Sequence, residues 1–88
     1  MLMDWREENN RLVAEFTFEN FSRAWAFMSE VALLAERRNH HPEWTNMWNR
    51  VSFELYTIDA GNVVTEKDHK LADSINLIYE RYQTQTHD

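Results

Sequence analysis

The chain has 88 residues, with nine basic and fifteen acidic side chains, a formal net charge of −6 and no cysteine. That length predicts one domain, residues 1–88, with a modest core, and the missing cysteines exclude disulfides and thiolate zinc sites. The acidic balance argues against a nucleic-acid phosphate track, and the absence of a secretory leader or an apolar run of membrane-spanning length predicts a soluble, cytoplasmic protein.

Trp5 to Glu8 is expected to form a short strand after a frayed start at Met1 to Asp4. Asn9-Asn10 suits a two-residue turn, because asparagine tolerates a left-handed backbone. From Arg11 the pattern alternates: Leu12, Ala14, Phe16 and Phe18 on one side, Arg11, Val13, Glu15 and Thr17 on the other. Period two predicts a strand with one buried face, and hence a hairpin. Glu19 or Asn20 opens a helix, asparagine being a good N-cap. Phe21, Ala24, Trp25, Met28, Ala32 and Ala35 fall at helical spacing, and Phe27, Val31 and Leu34 lie beside them. So wide an apolar face predicts contact with another helix or another subunit.

The next stretch, Glu36-Arg37-Arg38-Asn39-His40-His41-Pro42-Glu43-Trp44, holds two adjacent histidines and the chain's one proline. Glu36 lies four residues before His40, so a helix reaching that far would place both on one face. Pro42 is expected to stop the helix and to bias His41 toward an extended backbone. Imidazoles exchange protons near neutral pH, and a flat tryptophan nearby suits a flat ligand. Met47 to Thr57 alternates again, with Val51, Phe53 and Leu55 on one face, and reads as one strand. Ile58 to Val64 is a loop around Gly61. Thr65-Glu66-Lys67-Asp68 resembles a capping box, opening a helix with Leu71, Ile75, Ile78 and Tyr82 at helical spacing and an end near Gln83. Thr84 to Asp88 is a polar tail.

Glu36-x-x-x-His40-His41-Pro42, followed after five residues by the aromatic Trp48, resembles the signature of the pterin-4a-carbinolamine dehydratase family. Phe16 to Ala32 resembles that family's first strand-to-helix passage, and Thr57 to Ala72, with Thr65-Glu-Lys-Asp68, its second. The likeness runs from about Trp5 to about Tyr82. The order strand, strand, helix, strand, helix gives an α+β class. The resemblance implies a small antiparallel sheet of four strands with two helices packed on one face, and dimers that pair into tetramers. The fourth strand would fall around Pro42 to Trp44, or come from dividing Met47 to Thr57.

The resemblance also implies an activity. A 4a-hydroxytetrahydropterin loses water to give the quinonoid dihydropterin. The leaving hydroxide must be protonated and the neighbouring ring nitrogen deprotonated, which suits histidine and needs no metal and no cofactor. By that likeness His40 is the acid at the hydroxyl, and His41 holds the ring or exchanges its nitrogen proton. Glu36 would orient His40 and favour its protonated form. Trp44, Tyr56, Thr57, Ile58 and Asp68 are the substrate-binding candidates. Read from the residues alone, Trp44 is packing, Asp68 a cap, Thr57 a strand residue and His40 a cation at a helix end. His69 is expected to be exposed, and His87 lies in the tail. Ile58 stands where the family usually places a third histidine. The alternatives are therefore a catalytically weak or inactive pterin-binding module and an assembly module, since animal members of the family also act as dimerisation cofactors of a transcription factor. A metal held by Glu36, His40 and His41 is disfavoured, because adjacent histidines on an extended chain point apart.

Overall fold

A computed structural model describes residues 5–83. The expectations for Met1 to Asp4 and for Thr84 to Asp88, His87 included, lie outside the described residues. Four antiparallel strands form one sheet, β1 (Arg6–Glu8), β2 (Arg11–Thr17), β3 (Glu43–Met47) and β4 (Arg50–Leu55), in the spatial order β1-β2-β4-β3. Two helices, α1 (Phe21–Arg38) and α2 (Glu66–Gln83), complete the α+β architecture.

The hairpin turns follow from local chemistry. Asn9 and Asn10 both take positive φ, 52° and 63°, as a two-residue turn between right-twisted strands requires. The second hairpin corrects the reading of Met47 to Thr57 as one strand. Met47 ends β3 and Arg50 begins β4, with Trp48 and Asn49 as the turn. The two-residue loop shifts the alternation by one: Trp44 shares its face with Phe53, and Met47, in step with Val51 along the sequence, pairs with Arg50 and is exposed. Asn46 supplies the local signal: its Nδ2 donates to the carbonyls of Trp48 (3.1 Å) and Arg50 (2.9 Å). The side chain thereby closes the loop and helps hold Trp48 at φ 53°, a conformation disfavoured for a bulky residue. The fourth strand is thus Glu43–Met47, beside the position expected around Pro42 to Trp44.

Leu12, Ala14 and Phe16 of β2 and Val51, Phe53 and Leu55 of β4 share one sheet face and pack against both helices. Phe16 is at the centre, edge-on to Phe53 (5.6 Å between centroids) and to Tyr79 of α2 (4.7 Å). The aromatic richness is therefore largely core. The buried stripe of α1 is Ala24, Phe27, Val31 and Ala35. Phe21 and Trp25, grouped with the core by spacing, instead stack on each other at the surface. On α2, Leu71, Ile75 and Tyr79 are buried and Leu77 is exposed.

Asn20 caps α1 as expected, its Oδ1 accepting from the Arg23 N–H at 2.9 Å. The other end differs from expectation. α1 stops at Arg38, and Asn39 takes a left-handed conformation, φ 53°. Its N–H donates to the Glu36 carbonyl, and the His40 N–H donates to the Ala35 carbonyl, both at 3.1 Å. This pair of bonds is the Schellman termination, which satisfies two carbonyls that a helix end leaves free. Pro42 comes three residues after the left-handed Asn39, too late to be the stop.

Candidate active site

Four segments meet at one end of the sheet: the residues after α1, the end of β4, a single 3-10 turn over Ile58–Ala60, and the first turn of α2. The Schellman turn reverses the chain and sends His40 toward α2. There its Nε2 lies 2.6 Å from Asp68 Oδ1, with 13% of the His40 side chain exposed and none of the Asp68 side chain. A carboxylate only accepts hydrogen bonds, so it holds the proton on His40 Nε2 and leaves Nδ1 as the nitrogen free to act.

Asp68 is fixed in turn. Its Oδ2 accepts from the Thr65 N–H (2.9 Å) and from the Thr57 hydroxyl (2.8 Å). The Thr65 and Thr57 hydroxyls are 2.6 Å apart, and Thr65 Oγ1 also accepts from the Lys67 N–H at 3.3 Å. Since Thr57 gives its proton to Asp68, Thr65 donates to Thr57, and every donor points toward the buried carboxylate. The contact from Asp68 back to the Thr65 amide is one arm of the capping box read from Thr65-x-x-Asp68. One carboxylate thus caps α2 through one oxygen and holds His40 through the other.

The expected pairing of Glu36 with His40 is not formed. The helix ends before His40, so the i,i+4 relation does not exist there. Glu36 Oε1 instead meets His41 Nε2 at 2.8 Å, five residues on, and both side chains are largely exposed. Glu36 therefore orients His41, and Asp68, 28 residues away, orients His40.

A cleft of about 180 Å³ opens beside both imidazoles, lined by Asn39, His40, His41, Tyr56, Thr57, Ile58, Asp59 and Lys67. Of the substrate-binding candidates, Tyr56, Thr57 and Ile58 line it. Ile58 is 72% exposed at the cleft mouth. Tyr56 donates to Glu43 Oε1 at 2.7 Å, with the Arg11 guanidinium 3.7 Å above its ring. The hydrogen bond to Glu43 first, then burial and the Glu43 charge, push the Tyr56 phenol above its ordinary pKa, against the opposing pull of Arg11. Trp44 is not at the cleft. It faces the helices, its ring 5.4 Å from Phe53, because β3 alternates and Trp44 pairs with Phe53 across the sheet. Trp48 is exposed on the β3–β4 turn and does not line the cleft either. His69 is exposed on α2 and likewise is not among the lining residues. Sequence reasoning missed Asn39, Asp59 and Lys67. Only Asn39 carried a local signal, as a left-handed-tolerant residue after two arginines in a helix's last turn. Among the described residues no three carboxylate or imidazole side chains gather so as to hold a metal ion.

This arrangement has relatives. The family model described as pterin 4 alpha carbinolamine dehydratase matches residues 1–78. A Rhizorhabdus wittichii protein provisionally named a pterin-4-alpha-carbinolamine dehydratase is 46% identical over 81 residues, covering 90% of this chain and 82% of its own. A Synechococcus protein with the same provisional name is 48% identical over 77 residues, covering 88% and 82%. A crystal structure described as a transcriptional coactivator/pterin dehydratase from Brucella melitensis superposes with a TM-score of 0.82 at 42% identity, over 88% of this chain and 83% of that one. A pterin dehydratase-like protein described as a RuBisCO assembly factor of the alpha-carboxysome shares the fold, with a TM-score of 0.70 at 19% identity over 89% of each chain. With the histidine pair and its cleft at the sheet's end, and a family match over most of its length, the chain belongs to the pterin 4 alpha carbinolamine dehydratase family.

Proposed function

We propose that the protein dehydrates a 4a-hydroxytetrahydropterin to the quinonoid dihydropterin, with His40 and His41 as the proton-handling groups. The observation that carries this reading is the buried Asp68 bonded to His40 at 2.6 Å beside a cleft that His41 also lines. In the reaction the C4a–O bond breaks and the oxygen leaves as water after taking a proton. The N5–H electron pair becomes the C4a=N5 double bond as that proton departs. One imidazolium and one neutral imidazole suffice, and after each turnover the base releases its proton to solvent while the acid takes one back. His40, tethered through Nε2, presents Nδ1 as the acid at the hydroxyl. His41, tethered by Glu36, presents Nδ1 to the ring nitrogen. Thr57 and Tyr56 form the wall, and Asp68 acts through His40 as a positioning residue. No metal or organic cofactor enters these steps.

The test is quinonoid dihydropterin formation from synthetic 4a-hydroxytetrahydropterin, compared with the spontaneous rate. His40→Ala is expected to remove the enzymatic excess. The protein is also proposed to act as a homodimer or homotetramer, supported by the exposed Phe21–Trp25 stack together with exposed Leu33 and Leu77. Light scattering of the purified chain measures this directly. A second reading, a pterin-binding or assembly module without turnover, is favoured by one observation: Ile58 puts an aliphatic group at the cleft mouth where a third titratable group would stand. Saturable pterin binding with no rate above background would select it.

A further inference from the structure

A second and larger concavity, about 570 Å³, lies on the other side of His40 and is lined by Arg38, His40, Lys67, Lys70, Asp73 and Ser74. His40 and Lys67 line both this groove and the cleft, so the two adjoin at these side chains. Its charge is opposite to that of the chain as a whole. Arg38, Lys67 and Lys70 face a single carboxylate, Asp73, in a protein of formal net charge −6. Among the described residues none of the three cations has a carboxylate ion-pair partner. Arg38 is also held in place: Nη1 donates to the Lys70 carbonyl at 3.2 Å and Nη2 to Ser74 Oγ at 2.6 Å. That leaves the rest of its five N–H donors for a ligand, in the planar fork that matches phosphate and carboxylate oxygens.

Unneutralised cations next to a cleft of about 180 Å³ call for an anion attached to whatever fills that cleft. We propose that this groove is a specificity subsite for an anionic substituent on the pterin ring. The substrate class is then a tetrahydropterin whose side chain ends in a phosphate ester or a comparable anion, rather than a neutral polyol. The inference rests on the pterin reading of the cleft. The ring lies against His40 and His41, its substituent passes Lys67, and the anion rests between Arg38 and Lys70. Asp73 at the groove wall disfavours a second anionic group on the tail and so favours a singly substituted one.

The test uses two oxidised, unreactive pterins, 6-hydroxymethylpterin and its phosphate monoester, with binding to the full chain followed by pterin fluorescence. The ester is expected to bind roughly tenfold more tightly at low salt, a preference that shrinks as ionic strength rises. Lys70→Glu is expected to bring the ratio of the two dissociation constants to about one or below. Equal binding of the two pterins to the unmodified protein, or a preference that Lys70→Glu leaves intact, overturns the subsite and leaves the pterin cleft standing. If neither pterin binds, the reading of the cleft falls and takes the subsite with it.

Discussion

Replacing Asp68 by asparagine tests the arrangement most sharply. The change keeps the shape and removes the charge. As a carboxylate, Asp68 accepts from His40, from the Thr57 hydroxyl and from the Thr65 amide, with none of its surface exposed. An asparagine has one oxygen and one NH2. If the oxygen stays toward Thr57 and Thr65, the NH2 faces His40, which must then carry its proton on Nδ1 to offer Nε2 as an acceptor. The imidazole then presents a different atom to the substrate. If the amide flips, its NH2 meets two donors and a buried bond is lost outright. Hydrogen bonds to charged groups contribute about 1.5–3 kcal/mol each, so the variant should lose roughly 2 kcal/mol of stability. For a domain of this size that is about 8–16 °C in melting temperature. Turnover should fall further than stability explains, by ~10²–10⁴, the range for losing one general acid–base group. The loss should appear mainly in kcat, with a displaced pH–rate profile, because ring contacts in the cleft remain. Thermal melts give the loss of stability, and the dehydration assay, run well below the melting temperature, gives the loss of turnover, which separates the effects. Wild-type kcat and an unaltered pH profile in a folded Asp68→Asn protein would refute the role assigned to the His40–Asp68 pair.

Ile58→His should leave stability within about 0.5 kcal/mol, since the side chain is 72% exposed, and raise the dehydration rate by up to ~10²–10⁴ if the cleft is otherwise complete. Asn39→Ala should cost about 1 kcal/mol in chemical denaturation, because the termination needs φ 53°, whereas Asn39→Gly should be nearly neutral. Pro42→Ala should leave the helical circular dichroism unchanged, an increase being the result that would restore proline as the stop. Phe16→Ala, at the fully buried centre of the aromatic cluster, should cost about 3–5 kcal/mol in denaturant unfolding. The Tyr56 phenol, raised first by its bond to Glu43, should titrate above its ordinary value of 10.0 in ultraviolet difference spectra, and Glu43→Gln should lower it. The sign for stability follows. A group whose folded pKa is raised by a bond to its protonated form contributes below pH 10, and the contribution is lost as pH rises through the folded value.

The sequence alone determined what depends on near neighbours in the chain. Period two in Arg11 to Phe18 and helical spacing in Leu71 to Ile75 fix strand and helix, because burial of one face is a local pattern. Asn9-Asn10, Asn20 and Thr65-x-x-Asp68 act within a few residues, and each sits where its chemistry placed it. Tertiary structure alone decided what depends on distance. Period two could not show that Met47 to Thr57 crosses a turn, because Met47 is the one residue of that stretch on the β3 side and a single position cannot reveal that the phase has shifted. Spacing could not choose Phe27 over Trp25 for the core, because both lie on a wide apolar helix face and only the position of the sheet selects between them. The partner of His40 was equally hidden. Glu36 is near in sequence, but the helix ends first and the reversed chain carries His40 to a carboxylate 28 residues away, in the opening turn of the other helix.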